Sequence, residues 1–166
     1  MTRFATCRKS RQRGVAALEF AIVALLVMVP LAFGISELGH AIMKYNTLVK
    51  ATRDAARYLT MFTPGTRTEA AKCLAVSGSV SVNASGIVDC AGATPLLQRP
   101  DLTRDNVVIC EATSCPDTHR TVSVPGVGVV NLVTVTIRDY QFETLVPFVI
   151  PNITLGPVST TMRAPL

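Results

Sequence analysis

The sequence predicts an α+β protein: a long N-terminal helix, transmembrane below and amphipathic above, followed by a small disulfide-bonded head with an antiparallel β-sheet, a lollipop in outline. Three observations carry this reading. From Val15 to Ile35 the only ionisable residue is Glu19. Beyond Leu38, the residues Ala41, Ile42, Tyr45, Leu48, Val49, Thr52, Ala55, Ala56 and Leu59 recur at three- and four-residue spacing. The last third is rich in β-branched residues bounded by Pro and Gly, and four of the five cysteines follow the apolar run. The expected segments are a basic leader (1–14), a membrane span (15–38), a continuation of the helix (39–63) and an α+β head (64–166).

The span follows from length. About 20 apolar residues rising about 1.5 Å each match a hydrocarbon core of about 30 Å. Arg3, Arg8, Lys9, Arg11 and Arg13 precede it with no acid among them, which orients the N-terminus to the cytoplasm and the head to the far side. The run exceeds the usual signal-peptide core of about 7–15 residues, and Gly34-Ile35-Ser36 is a poor cleavage site behind it. A cut at Gly14 instead, where the basic residues end, removes the leader and keeps the helix. Glu19 then acquires a partner. At a bilayer centre a carboxylate costs about 2.5–3.5 kcal/mol and less near an end, and a new α-amino group on Val15, four residues earlier, neutralises it within one subunit or between staggered neighbours. The plainer alternative is that Glu19 snorkels to the cytoplasmic headgroups. Pro30 and Gly34 predict either a kink over 26–34 or a proline that the membrane helix tolerates.

The string RGVAALEF resembles the processing site of class III, type IV-type prepilins, cut after the glycine by a membrane prepilin peptidase. More narrowly, RGVAALEFAIVALLVMVPLAFGISELGHAIMKYNTLVKATRDAARYL resembles the TadE-like family, minor pilins or pseudopilins of the tight-adherence (Flp/Tad) system. VTVTIRDYQF and STTMR are more weakly similar to that family's C-terminal strands, and residues 64–120 carry no matching motif. The resemblance implies processing at Gly14 and Val15, and assembly through Glu19 and Phe20. It implies as partners the prepilin peptidase, other minor pilins, the major Flp pilin, an inner-membrane assembly platform and membrane lipid. It also implies a single-pass location in a bacterial inner membrane, with the head periplasmic, and passage into an extracellular pilus after processing.

Charge agrees with a topology signal and not with nucleic-acid binding. The chain has sixteen Lys and Arg against eleven Asp and Glu, and the excess of five equals the leader's five cations, so residues after Gly14 balance to zero. Cys7, in the leader, is assigned no role. In the amphipathic stretch Lys44, Lys50, Arg53, Asp54 and Arg57 are expected on the solvated face, with Asp54 and Arg57 a weak i,i+3 pair. Thr63-Pro64-Gly65 should stop the helix. Thr66-x-x-Glu69 fits a capping box ahead of a short helix near 67–76. Residues 77–105 read as loop with at most short strands such as Val80 to Val82, and the sequons at Asn83 and Asn152 are discounted.

Cys73, Cys90, Cys110 and Cys115 lie on the oxidising side and allow three pairings. Cys73 with Cys90 and Cys110 with Cys115 is preferred, the first pinning the loop to the short helix and the second stapling a hairpin. A metal site from Cys110, Cys115 and His119 with Asp117 is the competing reading, with loose spacing. Strands are expected at 106–110, 121–124 and 128–140, the last burying Val133, Val135 and Ile137 and exposing Thr134, Thr136 and Arg138. Leu145, Phe148 and Val149 are expected to dock on the stem, with a subunit contact as the alternative, and 154–162 to return as an edge strand. Gly126-Val127-Gly128 is a turn rather than a nucleotide loop.

No nucleophile motif, phosphate loop or cofactor fingerprint is present, and His40 reads as a polar interfacial residue rather than a base. The sequence therefore points away from an enzyme, with no cofactor or metal expected. Two readings remain: a minor pilin cut after Gly14, or an unprocessed bitopic membrane protein whose periplasmic domain scaffolds or binds envelope components.

Overall fold

The computed structural model describes residues 11–80, 90, 92–144, 147 and 151–166, with side chains from Gly14 onward. Cys7, Val82, Asn83 and the docking residues Leu145, Phe148 and Val149 lie outside the described residues. One helix, α1 (Arg11–Leu59, 49 residues), forms the stem and passes Pro30 and Gly34 as unbroken helix. At about 1.5 Å per residue it is about 70 Å long. After the turn at Thr63–Thr66 come α2 (Thr68–Ser77), a 3-10 turn (Arg104–Asn106), β1 (Val107–Cys110), α3 (Pro116–His119), β2 (Val122–Val124), β3 (Gly128–Ile137), β4 (Tyr140–Phe142), β5 (Ile153–Leu155) and β6 (Val158–Ala164).

The sheet is organised on β3. It pairs antiparallel with β1 (Val107 opposite Ile137), with β2 through the Pro125–Gly128 turn (Val122 opposite Val130) and along most of its length with β6 (Asn131 opposite Ala164, Ile137 opposite Val158). Alternation holds as expected: Val133, Val135 and Ile137 are buried while Thr134, Thr136 and Arg138 are not. The buried face lies on the upper stem, forming one core from Leu48, Ala51, Ala55, Ala56 and Leu59, α2's Ala71 and Ala75, and the sheet's Val107, Val133, Val135 and Ile137. Small residues on α1 and α2 let the two helix backbones come close. Thr52 adds a hydroxyl pair with Thr160 of β6 at 2.9 Å.

Several expectations are corrected. The strand expected over 128–140 ends at Ile137. Asp139 takes a left-handed φ of 58°, and Tyr140 starts β4, which pairs with β5 in a separate two-stranded sheet. The break aims Tyr140 inward, where its hydroxyl donates to the Pro100 carbonyl at 3.0 Å. Burial, with Asp101 and Glu143 adding to it, pushes that phenol above its usual 10.0. The capping box at Thr66 and Glu69 does not form. The Thr66 hydroxyl donates back to the Thr63 carbonyl at 2.7 Å, so α2 starts behind Arg67 without a side-chain cap, and Glu69 instead pairs with Lys72 at 2.8 Å. The hydrophobic stripe of the upper stem is also rotated at its lower end. Lys44 is buried, 6 % exposed, while Ile42 and Tyr45 face outward.

Gly78 closes α2 where a side chain would not fit. Its φ is 73°, its N–H donates to the Leu74 carbonyl at 2.8 Å, and an added Cβ would stand 3.0 Å from Leu96. The loop that follows is held by the disulfide from Cys73 to Cys90 and by the Leu96 N–H on the Val76 carbonyl at 2.7 Å. Because Ala55 is fully buried in the core, Ala55→Leu is expected to overpack it and cost about 1–3 kcal/mol, whereas the exposed Arg53→Ala stays within about 0.5 kcal/mol of wild type. Thermal unfolding of the full chain in detergent checks this, and equal melting of both variants would remove Ala55 from that contact.

Candidate functional site

From Gly14 to Ser36 no residue of the stem is buried among the described residues. Every residue there is exposed or half-exposed, including Val15, Leu18, Phe20, Leu25, Leu26, Leu31 and Phe33, and Glu19 is the one charge. An 18-residue window has a mean hydropathy of 2.5 with none of it buried, long and apolar enough to cross a membrane. A helix that is apolar all round needs an apolar surrounding, which lipid or neighbouring helices supply. Gly14, Val15, Glu19 and Phe20 stand together in the first turns, with Glu19 one helical turn, about 6 Å, above Val15. Gly14 and Gly34 have open space where a Cβ would be. A glycine inside a helix costs about 0.5–1 kcal/mol relative to alanine. Among the described residues nothing packs against Gly14, so no contact there requires a glycine.

The second constellation is at the neck, just above the apolar run, and only the His40 part of it was noticed in the sequence. Glu37 is 3 % exposed and Lys44 6 %. The Lys44 ammonium donates to the Arg99 carbonyl at 2.8 Å and sits 5.1 Å from the centre of the Phe142 ring. The His40 ring meets Phe142 edge-on at 5.8 Å, so it is half-buried rather than a free surface group. Burial lowers the Lys44 pKa below 10.5, and the Glu143 and then the Glu37 carboxylates pull it back up. The available signal was the spacing: Glu37, His40 and Lys44 fall at i, i+3 and i+7, one face of the helix directly past the span. Lys44→Ala, which strands the part-buried Arg99 carbonyl and removes the contact with Phe142, is expected to cost about 2–4 kcal/mol in unfolding experiments. The net shift is downward, so the fold disfavours the ammonium relative to the unfolded chain, and wild type should gain on the variant as pH rises toward 10.5. A variant as stable as wild type at pH 7 would contradict this.

The cysteines take the preferred pairing, Cys73 with Cys90 and Cys110 with Cys115. The competing metal reading had a geometric basis, since the Cys110, Cys115 and His119 ligand atoms lie within 4.8 Å of one another. Two sulfurs bonded to each other offer no thiolate, however, and the His119 ring already bonds the hydroxyls of Thr118 and Thr134, each at 2.7 Å. The Cys110–Cys115 staple instead positions Glu111, 1 % exposed, which accepts the Gly65 N–H at 2.9 Å and ties the hairpin to the turn ending the stem.

Comparison with curated proteins and with solved structures gave no match. Residues 14–57, from the candidate cleavage glycine through the neck and up the buried stripe, match the family model described as TadE-like protein. Over that stem the chain is similar to the TadE-like family, which is associated with Tad pili, and its N-terminal apolar helix is long and apolar enough to anchor it in a membrane.

Proposed function

We propose that this chain is a minor pilin of a Tad-type pilus, released from its leader after Gly14 by a prepilin peptidase and inserted into the assembly through its exposed helix. What carries the reading is the bare stem. Over 20 residues of apolar helix hold one carboxylate, Glu19, one turn above the residue that would become the N-terminus, and the family match begins at Gly14. Cleavage converts a cationic topology signal into a stem without net charge and gives Glu19 an α-amino partner in its own or a neighbouring subunit. In the pilus the neighbours are other minor pilins and the major Flp pilin, reached from an inner-membrane platform. There the apolar helices replace lipid around one another.

Intact mass of the full-length product from cells containing the peptidase tests the first step. Wild type should lose residues 1–14, with its isoelectric point falling toward neutrality, and Gly14→Lys should keep the leader. A wild-type protein that retains its leader would sink the pilin reading and leave an unprocessed bitopic scaffold of the envelope.

Glu19→Ala separates cleavage from assembly. The variant should be cut normally, yet its incorporation into sheared pili should fall by about tenfold or more, the effect of losing a charge-assisted pair in an apolar setting. Normal incorporation would show that Glu19 only snorkels.

A further inference from the structure

The neck encloses a cavity of about 490 Å³ lined by His40, Lys44, Gln98, Arg99, Glu143 and Thr144. Its size falls in the range of small-ligand sites, about 300–1,000 Å³. Its height along the stem is set by the sequence: His40 and Lys44 lie about 3 and 9 Å past Leu38 at about 1.5 Å per residue, and the headgroup layer above the hydrocarbon is about 5–7 Å thick. The cavity thus stands at headgroup depth.

Its charges are of both signs and incompletely used. Lys44 is committed to the Arg99 carbonyl and the Phe142 face. Among the described residues the Arg99 guanidinium has no ion pair and the Glu143 carboxylate no hydrogen bond, although both line this one cavity and both are exposed. The buried Nδ1 of His40 is likewise without a hydrogen-bond partner. Arg99 itself holds a left-handed φ of 59°, a conformation that disfavours any side chain and that places its carbonyl on Lys44 and its guanidinium at the cavity. With Lys44 and Arg99 on one side and Glu143 on the other, the lining offers contacts to both signs of charge, which suits a ligand carrying both better than a plain anion.

We propose that this cavity binds the zwitterionic headgroup of a phospholipid, its phosphodiester on the Arg99 guanidinium and the Gln98 amide and its ammonium on Glu143. The proposal rests on reading the stem as a membrane span. Held in this way, a headgroup fixes the depth and rotation of the neck in the outer leaflet of that membrane. Phosphate and ammonium joined in one molecule are the recognised chemistry, whether the source is a lipid or soluble phosphoethanolamine.

Native mass spectrometry of the full chain in neutral detergent, titrated separately with dihexanoyl-phosphatidylethanolamine, dihexanoyl-phosphatidylglycerol, phosphoethanolamine and inorganic phosphate, tests it. The ethanolamine lipid should bind about tenfold tighter than the glycerol lipid, as one charge-assisted contact permits. Glu143→Gln should abolish that preference while leaving the glycerol lipid unchanged, and Arg99→Gln should weaken both. Should Arg99→Gln melt early, Gln98→Ala is expected to weaken both lipids in a normally folded chain. Equal binding of the two lipids by wild type, equal loss of both in Glu143→Gln, or inorganic phosphate binding as well as phosphoethanolamine would overturn the headgroup site. Phosphoethanolamine reaches the cavity without a bilayer. If it binds a chain that alkaline carbonate strips from vesicles, the cavity chemistry stands, and what falls is the span and with it the lipid as source.

Discussion

Burial of one stripe of α1 against the head is the contact on which the rest depends. The stripe runs Glu37, Lys44, Leu48, Ala51, Thr52, Ala55, Ala56 and Leu59, and it provides the apolar floor for a sheet whose own buried side chains come mainly from one strand, β3. Two layers are the minimum for a core, and here the second layer is the upper half of the stem with α2. The head therefore has no core without α1. A head of this size, with a small sheet and a long irregular loop, buries too little apolar area by itself to offset the entropy of ordering its chain.

The surface of the same helix changes character at Glu37. Below it the side chains are apolar all round, as lipid or neighbouring helices require. Above it, the outward residues Lys50, Arg53, Asp54 and Arg57 are exposed to water. At the boundary a polar face is turned inward rather than outward: Glu37 and Lys44 are buried, Lys44 against Phe142, while Ile42, Met43 and Tyr45 remain outside. Outward apolar and aromatic side chains suit an interfacial layer, whereas buried Lys44 is tolerable because a carbonyl, a ring face and two carboxylates surround it.

This inversion marks the limit of what the sequence alone conveyed. The stem, the core alternation of Val133, Val135 and Ile137, the returning C-terminal strand and the cysteine pairing were legible because each rests on a local period or on spacing. Lys44 was placed on the solvated face because periodicity counts a lysine as polar and has no knowledge of the carbonyl at Arg99, 55 residues away. The break after Ile137 was missed for a similar reason. Arg138 and Asp139 look like ordinary strand residues; the Arg138 N–H still reaches the Asn106 carbonyl in the β1–β3 register at 2.9 Å, and it is the left-handed turn at Asp139 that ends the pairing. The Thr66 cap failed through competition, since a threonine hydroxyl with a carbonyl three residues back has a closer partner than the coming helix. Gly14, Val15, Glu19 and Phe20 form a motif that the sequence displays in full, and among the described residues all four are exposed.

The irregular segment near 96–102 links these parts physically. It makes no strand, so its backbone groups need partners from elsewhere. The Leu96 N–H reaches the Val76 carbonyl on α2, the Arg99 carbonyl receives Lys44 from α1, and the Pro100 carbonyl receives Tyr140 from β4. Leu97 and Leu102 are buried in the common core. The Cys73–Cys90 bond, closing a sequence separation of 17, limits the conformations open to the preceding loop and contributes on the order of 3 kcal/mol through the unfolded chain. Stem, short helix and second sheet thus each hold one point of a segment that has no structure of its own. The neck is consequently sensitive to any of them. Cys73 lies on α2, and its bond to Cys90 ties the chain leading into this segment to that helix.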